Sequence, residues 1–478
     1  MKRSIVILGA GPAGLALAVQ LLRRKDFDAD VTIFEKKSEV GGLTASFEDN
    51  GLYFDHGSHR LHPATDPEIL KDISDLLGPD LLIRPRNGRI RLLGSFVKFP
   101  LNPLELLLRL PLSFTVGIGK DSFKKLFLQN NQEKNSFADI LLDGLGKTIC
   151  KDFYFPYARK LWGLDPEQIS VIQAQRRVSA NTVGKIIRKI LSIIPGFRVR
   201  GAGKFYYPRK GYGQISNAMS LEVKRLGGRI LLSNTVNKIH VYHRESHHTI
   251  YYSANKSKSD YKEQRADFLF STIPVTILAR MMKPEPPKEV LDASENLKYR
   301  SMVLVYLIME TDQFTKFDAH YFPEENVMFS RLSEPKNYSR IKEPHGTTGI
   351  CVEIPCQVGD PIWSFSESEI VAKVLDQLTT VDLPIQFPIK KSFIRHVRYV
   401  YPLYDLDFES RFNAIDNYIS KFPCLVSLGR QGLFAHDNTH HTIKMAYNAS
   451  ECIRSDFSWD SKLWELYRSQ FNEHVVED

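Results

Sequence analysis

Gly9-Ala10-Gly11-Pro12-Ala13-Gly14 is the part of the sequence that says most about the fold. It follows the apolar run Ser4 to Leu8, which predicts a buried parallel strand, and it precedes Leu15 to Arg24, whose leucines and alanines predict a helix. In the pattern G-x-G-x-x-G, the first glycine allows a tight turn and the second lets the backbone approach a pyrophosphate. The third lets helix and strand pack closely. This order of strand, turn and helix therefore predicts a dinucleotide-binding βαβ unit.

An acidic residue completes this unit. Asp30 to Phe34 reads as the second strand and ends at Glu35, about twenty residues after Gly14, where a carboxylate can bind ribose hydroxyls. The start of the helix offers free N–H groups and the positive end of its dipole to phosphates. A glycine-rich turn without a ligand is the alternative. The strand before it, the helix after it and the spacing of the acid favour binding.

Both FAD and NAD bind to βαβ units of this kind, so the choice between the two cofactors depends on a second glycine pair. Glu39-Val40-Gly41-Gly42-Leu43-Thr44 follows the acid directly and lets the backbone lie against a second part of an extended cofactor. The segment resembles the corresponding extension in the superfamily of flavin-dependent amine oxidases and protoporphyrinogen oxidases. This resemblance implies that the cofactor is FAD.

Further segments resemble UDP-galactopyranose mutase and its protoporphyrinogen-oxidase-like relatives, in the order that the family shows. They are residues 54–62 (FDHGSHRLH), 157–166 (YARKLWGLDP), 207–213 (YPRKGYG) and 428–434 (LGRQGLF). The resemblance implies that the first segment lies against the flavin and that Arg430 contacts the FAD diphosphate. Arg300 looks like a diphosphate-binding arginine of the mutase. However, the tyrosines that hold the sugar diphosphate in the mutase are missing after Phe434, and a second expected arginine is replaced near Asn181.

The glycine pattern and the resemblance together give the expected site residues. The residues expected to bind FAD are Gly9, Gly11, Pro12, Ala13, Gly14, Glu35, Lys36, Gly42, Leu43, Thr44, Val236, Gly429, Arg430, Thr442 and Ile443. The candidate catalytic residues are His59, Arg300 and His441, and the candidate substrate contacts are Trp162, Arg176 and Arg177. Structural alternatives stay open for several of them. Trp162 can be a core residue, the two arginines can pair with acids on a helix face, and His441 can be a solvated helix cap.

No metal site is expected. His56, His59 and His62 recur at every third residue, but a metal would need imidazoles that converge with defined geometry. One histidine against the flavin and two at the surface is the preferred interpretation. The five cysteines are scattered and form no CxxC pair, which argues against zinc and against a disulfide framework and indicates a reducing, cytoplasmic compartment.

Length and charge limit the organisation and the partners. A chain of 478 residues predicts two domains. We expect an α/β fold in which residues 1–85, 206–295 and 411–478 form a Rossmann-like, three-layer FAD domain. Residues 86–205 and 296–410 would form a mixed α+β substrate domain, with strands and loops over 310–400. The net charge of +9 suits an anionic small molecule or a membrane surface, and no nucleic-acid motif accompanies it.

Two segments raise the question of membrane contact. Leu101 to Gly119 is apolar but contains charges and prolines, so we expect a buried helical segment rather than one that dips into a membrane interface. Lys185 to Arg200 alternates basic and apolar residues. This pattern fits a surface for anionic lipid, and it also fits an ordinary helix with a solvated basic face. Peripheral membrane contact and the oligomeric state are left open.

Three functional hypotheses follow. The first is an FAD-dependent oxidoreductase of the protoporphyrinogen oxidase or amine oxidase type, with hydride transfer from substrate to flavin N5. The second is a non-redox enzyme that resembles UDP-galactopyranose mutase and acts on a nucleotide sugar in cell-surface polysaccharide biosynthesis. The missing tyrosines favour the first, and the Trp162-Gly163 segment with Arg300 favours the second. The third, a non-catalytic flavin-binding protein, has no feature in its favour.

Overall fold

The computed structural model describes residues 2–99, 103–127, 134–177, 203–243, 247–254 and 260–476. The basic segment from Lys185 to Arg200 lies outside these residues, as does the side chain of Arg177. The strands, numbered along the chain, are β1 (Arg3–Leu8), β2 (Ala29–Phe34), β3 (Ser46–Asp49), β4 (Leu52–Asp55), β5 (Leu81–Pro85), β6 (Gly88–Leu92), β7 (Ser95–Phe99), β8 (Lys204–Pro208), β9 (Arg229–Leu231), β10 (Asn234–His240), β11 (His248–Ala254), β12 (Lys262–Ala266), β13 (Phe268–Ser271), β14 (Met282–Lys283), β15 (Tyr299–Met309), β16 (Ala319–Tyr321), β17 (Arg331–Ser333), β18 (Thr348–Cys356), β19 (Ile389–Pro402) and β20 (Leu425–Ser427).

The helices of the described residues are numbered in the same way. They are α1 (Pro12–Arg23), α2 (Pro67–Leu77), α3 (Pro103–Arg109), α4 (Leu112–Phe127), α5 (Phe137–Leu145), α6 (Lys147–Ile149), α7 (Phe155–Trp162), α8 (Val171–Arg177), α9 (Gln214–Arg225), α10 (Val275–Met281), α11 (Lys288–Asn296), α12 (Pro335–Ser339), α13 (Pro361–Ser364), α14 (Glu367–Thr380), α15 (Phe408–Ile419), α16 (Gly429–Gly432), α17 (Thr439–Glu451) and α18 (Ser461–Phe471).

A parallel sheet of five strands, in the order β20-β13-β1-β2-β9, organises the first unit. Successive side chains of a strand point to opposite faces. Ile5 and Ile7 accordingly join a core built with α1, α9 and α17, while Val6 and Leu8 join a second core. That second core includes Ile239 of β10, which belongs to the four-stranded sheet β12-β11-β10-β14. The helices, the five-stranded parallel sheet and the four-stranded sheet form three layers. This arrangement confirms the predicted fold class.

A seven-stranded mixed sheet, in the order β19-β15-β18-β17-β16-β6-β7, organises the second unit. Strand β15, second in this order, is buried on both faces. Val303 and Val305 face a core that includes α14, whereas Met302 and Leu304 face β4 of the first unit. The second face of this sheet therefore lies over the first unit and is available to line a site between them.

Two expectations about the second unit are wrong. α14 is a helix of 14 residues within a stretch for which only strands and loops are expected, and a capping box of Ser366 and Glu369 starts it. The apolar segment before Gly119 is not uniformly buried. Phe114 packs inward, but Leu108 and Leu112 are exposed. Among the described residues, no helix is both long and apolar enough to cross a bilayer.

Candidate functional site

The turn from β1 to α1 lines a cavity of about 1460 Å³. Gly9 adopts a φ of +99°, and its N–H donates to the carbonyl of Phe34 at 2.8 Å. A Cβ on Gly14 would lie 2.0 Å from the carbonyl oxygen of Gly9, so only glycine fits there. Gly11 precedes α1 and has open space where a Cβ would be. No side chain therefore covers the backbone of Gly11 at the point where a pyrophosphate would approach the N-terminus of α1.

The carboxylate of Glu35 fixes the neighbouring wall of the cavity. Its two oxygens accept hydrogen bonds from the N–H groups of Ala10 and Lys37, both at 2.9 Å. The side chain is buried at the end of β2 and still lines the cavity. It thus lies where the spacing predicts a ribose-binding acid, and it also holds the glycine-rich turn in place.

The second glycine pair packs directly on the first. Gly41 has a φ of +105° and donates its N–H to the carbonyl of Ala10 at 2.8 Å. A Cβ on Gly42 would lie 3.5 Å from the Cα of Gly11. The two glycine-rich segments therefore form one continuous backbone surface along the cavity, as expected for an extended cofactor.

Most of the residues predicted to bind the cofactor line this one cavity. Those that line it are Gly9, Gly11, Pro12, Ala13, Glu35, Lys36, Gly42, Leu43, Thr44, Val236, Arg430 and Thr442. Three do not. Gly14 supports the turn from behind, Gly429 packs against Ala13, and Ile443 is fully buried in the helical layer.

Arg430 connects the cavity wall to two loops. One Nη donates to the carbonyl of Asp437 at 2.5 Å and the other to the carbonyl of Val400 at 2.8 Å. Its guanidinium carbon lies 5.4 Å from the centre of the Tyr401 ring. The arginine is thus held at the cavity surface. Its predicted contact with a diphosphate remains a prediction.

A loop with several histidines forms the far part of the cavity. His56 and His59 both line it, and the Nδ1 of His59 lies 3.1 Å from the carbonyl oxygen of Gly57. The His59 ring stacks on Tyr212, with 5.4 Å between ring centres. Burial, with the nearby charge of Arg331, lowers the pKa of His59 to about 4. His59 is therefore neutral at pH 7.

Glu353 anchors this loop from the seven-stranded sheet, and sequence reasoning missed it. Its carboxylate accepts the N–H of Ser58 at 2.8 Å and pairs with Arg331 through two hydrogen bonds of 2.7 Å each. It is only 2% exposed. A single acid inside the apolar run of β18 is the signal that could have identified it, because acids are almost never buried unless they are paired.

Arg395 is a second residue that the sequence did not single out. Its Nη1 lies 3.0 Å from the Nε2 of His56, and its guanidinium carbon lies 3.6 Å from the centre of the Phe47 ring. Burial, with the charges of Lys37 and Arg395, lowers the pKa of His56 to about 3. A guanidinium can only donate, so the Nε2 of His56 is the acceptor and carries no proton.

Asp55 supports the same loop from behind. Its carboxylate accepts from the hydroxyl of Ser46 at 2.5 Å, from the hydroxyl of Tyr207 at 2.7 Å and from the N–H of Tyr212 at 2.8 Å. Burial raises the pKa of Asp55 from 3.8 to about 6, although these hydrogen bonds partly oppose the shift. The group therefore holds its proton in the folded chain at pH values where it is ionised in the unfolded chain.

We expect Asp55→Asn to change the pH dependence of stability. A raised pKa in the folded state contributes stability that is complete below pH 3.8 and is lost as the pH rises through 6. Relative to the variant, the wild type should therefore lose about 3 kcal/mol of unfolding free energy between these values. Urea unfolding at a series of pH values measures this. The exposed Asp75→Asn variant is the control, and a difference that does not vary with pH contradicts the prediction.

The remaining predicted side chains lie away from the cavity wall as far as the structure describes it. Arg300 donates to the carbonyls of Leu161 at 3.2 Å and Lys160 at 3.3 Å, and it packs so closely on Gly163 that a Cβ there would lie 2.6 Å from it. Trp162 is buried in the helical core with its ring against Phe137. The two segments that resemble the mutase therefore meet each other, and their catalytic and substrate roles remain predictions.

His441 and Arg176 belong to a cluster around Asp437. Arg176 donates to one carboxylate oxygen at 3.2 Å, and the Nδ1 of His474 lies 3.0 Å from the other. Burial alone would raise the pKa of Asp437, but the hydrogen bond from His474 and the charges of His474 and Arg176 lower it below its usual value. Asp437 itself lines the cavity. The cluster thus ties α8 and the chain after α18 to the cavity wall.

Asp437, His441 and His474 also form a group that could hold a metal ion. The rings of His441 and His474 are nearly parallel, at 14°, with centres 4.2 Å apart. The lone pair of an imidazole nitrogen lies in the ring plane, so two stacked rings do not aim at one ion. Metal binding would require one ring to turn. As arranged, the group is a set of stacked and ion-paired side chains.

Cationic side chains outnumber acids along the cavity. The cations are Lys36, Lys37, Arg60, Arg86, Arg331, Arg395, Arg398 and Arg430, and the acids are Glu35, Glu39, Glu353 and Asp437. Glu353 and Asp437 are already paired with arginines. The cavity therefore presents a positive surface, which suits ligands that carry negative charge.

Comparison with known proteins agrees with this geometry. The family described as flavin containing amine oxidoreductase matches residues 12–405. Protoporphyrinogen oxidase 2, chloroplastic/mitochondrial, of Arabidopsis thaliana is 33% identical over 178 residues, which are 35% of this chain and 34% of that protein. That match therefore spans only about a third of the relative's length.

Solved structures extend the likeness to the whole chain. The structure of reduced UDP-galactopyranose mutase matches with a TM-score of 0.80 and 20% identity, and it covers 100% of both chains. Cyclohexylamine oxidase from Brevibacterium oxydans IH-35A matches with a TM-score of 0.63 and 14% identity, over 98% of this chain and 100% of that one. At such identities the likeness shows the fold. It confirms, together with the family match, the resemblance found in the sequence. The chain belongs to the flavin containing amine oxidoreductase family.

Proposed function

We propose that the chain binds FAD and acts as an oxidoreductase on a small, anionic substrate. The observation that carries this proposal is a single cavity whose wall runs from the bare backbone at Gly11 to the imidazoles of His56 and His59. Ligand cavities usually measure about 300–1,000 Å³. The observed volume of about 1460 Å³ leaves room for an extended cofactor with a substrate beside it.

At the cofactor end of the cavity, the proposed contacts with FAD come from backbone N–H groups and from one carboxylate. The N–H groups at the start of α1 would receive the diphosphate, and Glu35 would bind the adenosine ribose. When bound, FAD would supply a hydride acceptor at N5 of its ring system, and this redox chemistry belongs to the cofactor. The residues of the chain would hold the cofactor, orient the substrate and exclude water.

The substrate end combines an apolar wall with fixed polar groups. Met302 and Leu304 line the cavity from β15, and both are buried. His59 is neutral at pH 7 and its Nδ1 faces the carbonyl oxygen of Gly57, so its Nε2 can accept a hydrogen bond without adding charge. Arg395 and Arg398 also line this wall, and they would attract an anionic group of the substrate.

We expect Arg430→Ala to retain FAD less well, by about tenfold or more in Kd, because a charge-assisted contact to the diphosphate would be lost. Flavin absorbance after gel filtration measures retention. Arg454→Ala removes an exposed arginine that pairs with Asp460 and is the matched control. The apoprotein melting temperature of both variants separates lost binding from lost folding. Unchanged retention in Arg430→Ala contradicts the placement of this side chain.

A second candidate is a non-redox enzyme that acts on a nucleotide sugar, as in UDP-galactopyranose mutase. The contact of Arg300 with the Trp162-Gly163 turn favours it, since both segments resemble the mutase. These side chains are not among the described residues that line the cavity, which favours the oxidoreductase. We therefore rank the oxidoreductase first.

Anaerobic kinetics distinguish the two candidates. Oxidised holoprotein is mixed without oxygen with amines, porphyrinogen-like compounds and UDP-sugars, and the visible flavin band is followed. The oxidoreductase proposal predicts that one of these classes bleaches the band and is itself oxidised. Ring isomerisation of a UDP-sugar by the pre-reduced protein, without net oxidation of the flavin, contradicts that proposal and supports the mutase-like one.

A further inference from the structure

Helices α3 and α4 carry a cluster of large apolar side chains that face solvent. Leu108 is 83% exposed, Leu112 79%, Val116 52% and Phe123 65%. Scattered exposed leucines are normal on a protein surface, but several large exposed apolar side chains on one short stretch of helix indicate an interaction site. We call these four residues the α3–α4 stripe.

The geometry of α4 shows that the stripe does not belong to the core. At 100° per residue, Leu112, Val116 and Phe123 fall within an arc of about 40°. The opposite side of the helix makes the contacts with the rest of the chain. Phe114 is buried there, and the carboxylate of Asp121 accepts the N–H of Thr148 at 2.7 Å. α4 is therefore apolar on the side turned away from the protein as well as on the side that packs.

Positive charge flanks the stripe. Lys120 and Lys124 are exposed, and they lie beside the apolar arc on one edge of α4. Arg109 is 57% exposed at the end of α3 and pairs with Glu105 at 3.3 Å. Asp121 is turned inward. The outer face of α4 thus carries apolar side chains and lysines side by side.

We propose that the α3–α4 stripe docks on the surface of an anionic lipid bilayer, with α4 lying in the plane of the interface. An apolar face bordered by lysines is what an interfacial helix needs, because the apolar side chains enter the acyl boundary while the cations meet anionic headgroups. A stable protein–protein interface takes about 20–30 residues a side, far more than a stripe one helix wide. This proposal is independent of the reaction that the chain catalyses.

Vesicle co-sedimentation of the full chain tests the proposal. Vesicles contain phosphatidylcholine with or without about one third phosphatidylserine. The wild type should bind the anionic vesicles, and Leu112→Ser/Val116→Ser should lower the partition coefficient by about tenfold or more. Lys120→Glu/Lys124→Glu should remove the preference for phosphatidylserine. Leu221→Ser is the matched control, since Leu221 is 66% exposed on α9, and it should bind like the wild type.

A site-specific probe gives a second measurement. An environment-sensitive fluorophore at L112C should shift to shorter wavelength with anionic vesicles, while the same fluorophore at L221C should not. The proposal is overturned if the wild type fails to bind anionic vesicles, or if the serine variant binds equally well. It is also overturned if the stripe instead mediates self-association, seen as a dimer in the wild type that the serine variant loses without vesicles.

Discussion

Gly11→Val is expected to weaken FAD binding by on the order of 100-fold or more while leaving the fold intact. The structure has nothing within 4 Å of a Cβ at this position, so the Cβ of the new side chain has open space around it. The backbone there, with φ −78° and ψ 178°, lies in the extended region that valine adopts readily. The isopropyl group would instead occupy the space in which a diphosphate approaches the N-terminus of α1.

Titration of the apoprotein with FAD, followed by quenching of flavin fluorescence, measures this effect. Gly144→Val is a matched control, because Gly144 also has open space at its Cβ and lies on α5 away from the cavity wall. The control should keep the wild-type Kd. If Gly11→Val also binds FAD with the wild-type Kd, the diphosphate does not lie at this turn.

Glu353→Ala should cost about 3–5 kcal/mol of unfolding free energy, because removing one partner of a buried ion pair leaves the other charge uncompensated. Arg331 would lose its bidentate partner, and the N–H of Ser58 would lose its acceptor. Replacing both members of a buried pair by apolar residues is far less costly. Glu353→Leu/Arg331→Met should therefore recover the part of the loss that comes from the unpaired charge of Arg331, although the N–H of Ser58 still lacks this acceptor.

Urea denaturation of the wild type, the single variant and the double variant measures these unfolding free energies. Asp75→Ala breaks the exposed pair with Lys71 and should change the unfolding free energy by less than about 1 kcal/mol. If the double variant is as unstable as Glu353→Ala, the loss of unfolding free energy comes from the packing at this position and not from the unpaired charge of Arg331.

The first βαβ unit was predictable because its signals are local. The strand predicted over Ser4 to Leu8 is observed as Arg3–Leu8, and the strand predicted over Asp30 to Phe34 is observed as Ala29–Phe34. The helix begins earlier than Leu15, at Pro12, since proline is well tolerated in the first turn of a helix. Glycines that are required where two backbone segments pack closely form a pattern that can be recognised in the sequence.

The far end of the cavity was not predictable because its contacts are long-range. Glu353 meets Ser58 across 295 positions, and Arg395 meets His56 across 339. No periodicity in a single segment reveals such a pair. Val236 and Thr442 were found only through resemblance, since their own neighbourhoods carry no pattern specific to a cofactor.

The exposed stripe was missed for a different reason. An apolar residue contributes to a helical pattern whichever way it points, so the leucines near Leu108 and Leu112 read as core. Only the packing of Phe114 and Asp121 shows which side of α4 faces the protein. Sequence patterning gives the period of a helix, and tertiary structure decides which face is covered.

Cofactor stoichiometry shows whether one chain holds one FAD in the cavity that starts at Gly11. Purified, folded chain is saturated with FAD, freed of excess by gel filtration and denatured, and the released flavin is quantified against protein. We expect one FAD per chain, with visible flavin absorption before denaturation. A folded chain that emerges colourless and takes up no added FAD would contradict it.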